Sequence, residues 1–260
     1  MNILDRLSEH ARERTEQAKR KRPFESLQAE ALALPRGDFA FERALKKEGL
    51  AFICECKKAS PSKGLIAEHF PYLEIARDYE TAGADAVSVL TEPKWFLGSD
   101  DYLREIAAAL SIPCLRKDFT VDPYMICEAR LLGASAVLLI CAILNKEQLR
   151  DFLGCCDALG LSALVEAHDE NEIETALSVG ARLIGVNNRN LKDFNVDTDR
   201  SRRLRTLIPP EVLFVSESGV RSGQDVAALR EIGADAVLVG EALMRAADRK
   251  AVLTGWRNGI

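Results

Sequence analysis

The sequence has no Cys-x-x-Cys, no histidine pair at helical metal-binding spacing and no Gly-x-Gly-x-x-Gly after its first apolar strand. The first two absences exclude zinc-ribbon and His-pair metal sites. The third removes the dinucleotide fingerprint of an open doubly wound sheet. The 7 cysteines are odd in number and lie mostly in apolar runs (Cys54, Cys114, Cys127, Cys141), so they read as small buried hydrophobes of a reducing compartment. Only 3 histidines occur: His10, His69 and His168. No apolar run is long enough to span a membrane, and Met1-Asn2-Ile3-Leu4-Asp5-Arg6 opens no secretory signal, so the expected location is the cytoplasm. Basic charge is also short: the net charge of −5 argues against a sequence-independent nucleic-acid surface.

What is present is a repeat. The chain has 260 residues, 47% hydrophobic and 29% charged, the composition of a globular protein. From Ala51 onward a short apolar strand, a loop and an amphipathic helix recur, most helices ending at Gly or Gly-Ala. Strands are expected at 52–56, 86–90, 114–116, 136–140, 162–166, 183–186, 212–216 and 236–239. Helices are expected at 72–82, 101–110, 123–132, 146–159, 170–179, 199–207, 223–232 and, as a short last one, 242–246. The strands are continuous apolar runs, hence parallel and buried on both faces. Their number and even spacing favour a single α/β domain over 1–260, a closed (β/α)8 barrel of the TIM type, over an open sheet. Residues 1–50 form a helical extension: an amphipathic helix from Ile3 through Lys19, a second from Pro23 toward Leu34, and a short third over Phe41 to Leu45. The basic run from Lys19 to Arg22 fits a solvated helix end or a rim for an anion, and the extension is expected to lie over the barrel mouth.

In such a barrel the reactive side chains gather where the strands end. The first strand ends in Glu55 and Lys57, two residues apart and so on one face. Taken alone, this pair is equally a surface ion pair. Further strand ends carry Lys117, Glu166, Asn187 and Glu217, and five charged groups at four strand ends point to acid–base work by lysine kept protonated among carboxylates. Ser218-Gly219, Gly240 and the Ser60-Pro61-Ser62-Lys63-Gly64 loop suit a phosphate, since small residues let backbone N–H groups approach. Trp95, Phe96 and Phe119 offer flat apolar surface or core packing, and Arg189 suits a carboxylate.

These motifs closely resemble the indole-3-glycerol phosphate synthases of tryptophan biosynthesis. The likeness is carried by Cys54-Glu55-Cys56-Lys57-Lys58-Ala59-Ser60-Pro61-Ser62-Lys63-Gly64, Leu115-Arg116-Lys117-Asp118-Phe119, Gly185-Val186-Asn187-Asn188-Arg189-Asn190-Leu191 and Val215-Ser216-Glu217-Ser218-Gly219, with Leu90-Thr91-Glu92, Leu164-Val165-Glu166 and Val239-Gly240-Glu241. It spans the whole chain. The resemblance implies a carboxy-lyase that closes, decarboxylates and dehydrates 1-(2-carboxyphenylamino)-1-deoxyribulose 5-phosphate, without metal or organic cofactor. By position, Lys117 would be the general acid of ring closure and Glu166 would stabilise developing charge. Glu55 and Lys57 would manage dehydration, and Asn187 and Glu217 would hold the substrate hydroxyl and amine. Arg189, Phe96 and Phe119 would hold the anthranilate, with Ser60 and Pro61 beside the substrate. Ser60, Ser218, Gly219, Gly240 and Glu241 would hold phosphate, the last two through backbone. The implied partner is a small phosphorylated aromatic substrate, not nucleic acid or membrane, met by a monomer. Leu97 and Met125 stand where the family more often has polar residues, and Ala242 where it often has serine.

Two other readings fit parts of the pattern. A sugar-phosphate isomerase would use a Cys–Asp or similar pair rather than two lysines and three glutamates. A non-catalytic metabolite-binding barrel would have no need of the full acid–base set.

Overall fold

The computed structural model describes residues 2–190 and 195–259; Met1, and Leu191 at the end of the Asn-Asn-Arg-Asn-Leu motif, lie outside them. Its barrel strands are β1 (Ala51–Cys56), β2 (Ala86–Leu90), β3 (Cys114–Lys117), β4 (Ala136–Ile140), β5 (Ser162–Ala167), β6 (Leu183–Asn187), β7 (Leu213–Glu217) and β8 (Ala236–Val239). Each pairs in parallel with the next, and β1 also pairs with β8 through Ala51 and Ala236, so the sheet closes on itself as a (β/α)8 barrel. Four strands run one residue further than their apolar patterning suggests and take in Lys117, Ala167, Asn187 and Glu217. The ladder continues beneath polar side chains there, pairing Leu90 with Lys117 and Asn187 with Glu217.

Side chains alternate along a strand, and that alternation builds two cores. Ala51, Ile53, Ala86, Leu115, Ala136, Leu138, Leu164, Leu183, Val215, Ala236 and Leu238 fill the barrel interior. Phe52, Cys54, Val87, Val137, Val165, Ile184, Phe214 and Val237 point outward into the layer of helices. Those helices are α4 (Tyr72–Thr81), α5 (Asp100–Ala109), α6 (Pro123–Leu131), α7 (Lys146–Leu159), α8 (Glu170–Ser178), α9 (Asp199–Arg205), α10 (Gly223–Glu231), α11 (Glu241–Arg245) and α12 (Arg249–Arg257). Gly83, Gly133, Gly160, Gly180 and Gly233 close their helices with positive φ, as their placement suggests. Sequence patterning misses α12, which is capped by Asp248, buries Leu253 and Trp256, and packs on α4 and α10. The short α11 is an insertion before this true eighth helix.

The extension clasps the barrel at both ends. Helices α1 (Ile3–Lys21), α2 (Phe24–Ala33) and α3 (Ala40–Leu45) form it. Helix α1 crosses the mouth, pinned where Arg14 donates to Asp118 at 2.8 Å. Helix α2 runs down the outside against α6 and α7. Helix α3 lies at the opposite end, where Phe41 and Leu45 join the interior core and the Glu42 N–H donates to Ser162 at the start of β5. Only the first helix therefore meets the expectation of a cover over the mouth. The crossing from α2 to α3 needs close backbone approach: Gly37 donates to the Leu159 carbonyl and Phe39 to that of Gly160, and a Cβ on Gly160 would strike the Gly37 backbone. The basic run serves the end of α1: Lys19 pairs with Asp122 at 2.6 Å, Arg22 pairs with Glu30, and neither faces the cavity. Among the described residues no helix is long and apolar enough to cross a membrane.

Candidate active site

The strand alternation that fills the interior also delivers the site. Above Ala51 and Ile53 the next inward position of β1 is Glu55. Above Leu115 it is Lys117, above Leu164 Glu166, above Val215 Glu217, and above Leu238 Gly240. Each polar residue thus caps an apolar column and lines one cavity of about 750 Å³ at the C-terminal ends of the strands. The cavity is of the size that suits a small organic phosphate.

Lys117 is its centre. Its Nζ donates to Glu166 Oε2 at 3.0 Å and to Glu217 Oε2 at 2.9 Å. Burial disfavours the ammonium, but the carboxylates of Glu166, Glu217 and Glu55 outweigh it and hold Lys117 protonated, its pKa above the ordinary value. Burial pushes Glu217 up to about 7, the charges of Glu166 and Glu55 adding to it against the pull of Lys117. Glu166 is also buried, but Lys117 and His168 more than offset that, and its pKa is lowered. Neighbouring carboxylates with pKa values driven apart are the mark of separate proton-holding and charge-holding roles.

This arrangement carries a stability signature. Glu217 binds its proton more tightly folded than unfolded, from an ordinary 4.5 up to about 7, so wild-type stability falls as pH rises through that window. Glu217→Gln has no such group. The variant-minus-wild-type difference in Tm is expected to increase between those pH values; a difference flat with pH would contradict the assignment.

Beside this cluster, Lys57 Nζ donates to Glu55 Oε1 at 2.5 Å. The pair fits only because residue 240 has no side chain: a Cβ there would press on the Glu55 carboxylate and stand 3.0 Å from Lys57 Nζ. Gly185 does the same for Glu217, whose Oε1 occupies the space a Cβ would take. Gly240→Ala is expected to slow turnover roughly 10- to 100-fold by displacing Glu55; unchanged kcat/KM would show that the pair has slack.

The remaining candidates surround these ions. Phe96 and Phe119 line one wall with ring centroids 6.1 Å apart. Glu92, fully buried, accepts from the backbone N–H groups of Lys94, Trp95 and Phe96 and so sets that loop. Trp95 turns away from the cavity, edge-on to His10, which removes it from the aromatic wall. Ser60 and Pro61 line the cavity on a small hairpin next to the Phe96 loop, whose arms, Ala59–Ser60 and Gly64–Leu65, pair where a plain loop is expected; the Ala59 N–H donates to the Phe96 carbonyl at 3.2 Å. Ser218 adopts φ 65 and Gly219 φ 101, so this turn bends back on itself, its Ser218 carbonyl held by the Asn188 amide at 3.0 Å. Asn187 Oδ1 accepts from the Arg189 N–H, and the Arg189 guanidinium reaches the cavity 3.8 Å from Glu241. Glu241 also faces Lys63 at 3.7 Å and Arg245 at 3.2 Å, so its side chain, and not only its backbone, belongs to this rim.

A family model described as indole-3-glycerol phosphate synthase matches residues 4–254. The chain belongs to the indole-3-glycerol phosphate synthase family. It is 56% identical over 256 residues to the indole-3-glycerol phosphate synthase of Ruminiclostridium cellulolyticum, covering 98% of each chain. It is 52% identical over 244 residues to that of Endomicrobium trichonymphae, covering 94% of this chain and 95% of the other. Among solved structures, 3-hexulose-6-phosphate synthase aligns with TM-score 0.64 at 15% identity, over 81% of this chain and 100% of that one, a likeness of fold alone.

In this indole-3-glycerol phosphate synthase family member, the sequence-predicted site residues other than Trp95 line a single cavity. Sequence reasoning missed several lining residues. Ile3 and Leu7 come from α1, and Arg221 and Arg245 from the turn after Gly219 and from α11. Ile3 and Leu7 are four residues apart, on the apolar stripe of an amphipathic helix, and that spacing was the available signal. The two arginines sit among many exposed basic residues, with no local pattern to set them apart.

Proposed function

We propose that the cavity converts 1-(2-carboxyphenylamino)-1-deoxyribulose 5-phosphate into indole-3-glycerol phosphate, CO2 and water, as a carboxy-lyase using lysine and glutamate side chains. One observation carries the reading: an ammonium, Lys117, is held between a low-pKa and a high-pKa carboxylate at the floor of a cavity walled by Phe96 and Phe119. The ring carbon bearing the carboxylate attacks the ribulose carbonyl, and Lys117 gives its proton to the carbonyl oxygen. Charge then rests on the iminium form of the anilino nitrogen, where ionised Glu166 stabilises it. Loss of CO2 returns the bonding pair and restores the aromatic ring. In the second stage the nitrogen lone pair, conjugated through the ring, expels the new hydroxyl as water on a proton from Lys57. Removal of the neighbouring C–H proton by Glu55 completes the indole. Asn187 and Glu217 hold the hydroxyl and amine. Arg189 takes the substrate carboxylate, and Ser60, Ser218, Gly219, Gly240 and Glu241 form the phosphate end.

The reading includes an active monomer, in the cytoplasm, where such a phosphorylated metabolite would be retained. The test is indole fluorescence on mixing the purified chain with the carboxyphenylamino-deoxyribulose phosphate. Growth of signal with stoichiometric CO2 supports the reaction. Tight binding without signal would mean a binding barrel, and no binding would return the choice to other phosphate barrels.

A further inference from the structure

We propose that His168 is a positioning residue for Glu166, its imidazolium anchored by Glu172 and directed at the Glu166 oxygen that Lys117 leaves free. The inference rests on the role given to Glu166 above and deepens it. His168 follows β5 by one residue and does not line the cavity. Its backbone N–H donates to Glu172 Oε2 at 2.7 Å, and its Nδ1 stands 3.2 Å from the same oxygen. Its Nε2 lies 3.4 Å from Glu166 Oε1, while Lys117 takes Glu166 Oε2. Nε2 and Oε1 are both buried and neither has a hydrogen-bond partner, so their 3.4 Å approach is a contact between charges across which no aligned hydrogen bond is formed.

Two carboxylates, one at each ring nitrogen, decide the protonation state. An ionised carboxylate only accepts, so a neutral imidazole would set a lone pair against one of them, and only the doubly protonated ring serves both. The surroundings agree. Glu166 faces the ring from β5, Glu172 from α8, and Glu217 acts from β7. Cys141, on the turn after β4, points its thiol at the Glu172 carbonyl, 3.7 Å away. Burial of the ring opposes its charge, yet the three carboxylates prevail and its pKa is raised. Glu166 is thus clamped between two cations, Lys117 and His168, on its two oxygens. The consequence is directional: as pH rises through the elevated imidazole pKa, the second cation is lost, Glu166 is held at Oε2 by Lys117 without a cation facing Oε1, its carboxylate is less firmly oriented, and turnover falls.

The experiment measures kcat and KM against pH for wild type and His168→Gln. The variant is expected to lose roughly 10- to 100-fold in kcat near neutral pH with KM unchanged, and to lack the alkaline decline due to the imidazole. In parallel, NMR titration of the His168 ring in wild type and in Glu166→Gln should show a lower imidazole pKa in the variant. Identical pH dependence of kcat with and without His168, or an imidazole pKa unmoved by Glu166→Gln, would overturn the proposal. The titration needs neither turnover nor a folded His168 variant, so it decides the His168–Glu166 coupling even where the indole assay rejects the proposed reaction.

Discussion

Lys117→Ala is expected to lower kcat by about 10³-fold or more while KM changes little, as for loss of a general acid acting in the transition state. Removing the ammonium also takes from the buried Glu166 and Glu217 the cation they share, which costs stability. Lys117→Arg separates the two effects. A guanidinium keeps the positive charge near both carboxylates but does not release a proton in the working pH range. The arginine variant should melt closer to wild type and yet form indole nearly as slowly as the alanine variant. Steady-state kinetics and thermal unfolding of the three proteins check this. Full activity in the arginine variant would make Lys117 a counter-ion and move the acid elsewhere, with Lys57 the nearest candidate.

Phe41→Ala should be the most damaging single change to stability that spares the chemistry. The ring is fully buried at the end of the barrel away from the cavity, among Ala51, Ala86, Ala136 and Ala236. Those small side chains leave a hollow that Phe41 and Leu45 fill, as a plug fills a pipe. Emptying it costs about 3–5 kcal/mol, because a ring of alanines has no longer side chains to collapse inward. The expected fall in Tm is roughly 10 °C. At room temperature kcat should stay near wild type. A small Tm change would mean that α3 merely rests against the barrel; a large loss of kcat in a folded variant would mean that the bottom of the barrel is coupled to the site.

Much of this molecule is local and therefore readable along the chain. Strand and helix periodicity follow from alternation and from the glycine caps, so β2, β4 and β8 have the bounds their apolar runs suggest. Since a strand has period two, the sequence alone also puts Glu55 and Lys57 on one face. The eightfold repetition closes the barrel and sends the polar strand ends to one side, and the motifs around Lys57, Lys117 and Asn187 suffice to mark the family. What tertiary structure decides is everything that depends on distance between elements far apart in sequence. Trp95 and Phe96 are neighbours, yet one meets His10 and the other Phe119, because Glu92 and α1 dictate where their loop turns. The extension reads as one lid, but α3 is a plug at the far end, where Phe41 and Leu45 fill the space left by Ala51, Ala86, Ala136 and Ala236. Gly185 reads as an ordinary small residue and Gly240 as a phosphate contact alone until the carboxylates of Glu217 and Glu55 are seen in the space beside them. And no pattern in the sequence reveals that one carboxylate of the cluster holds its proton near neutrality and another stays charged, because each pKa is the balance of burial against charges brought together only by folding.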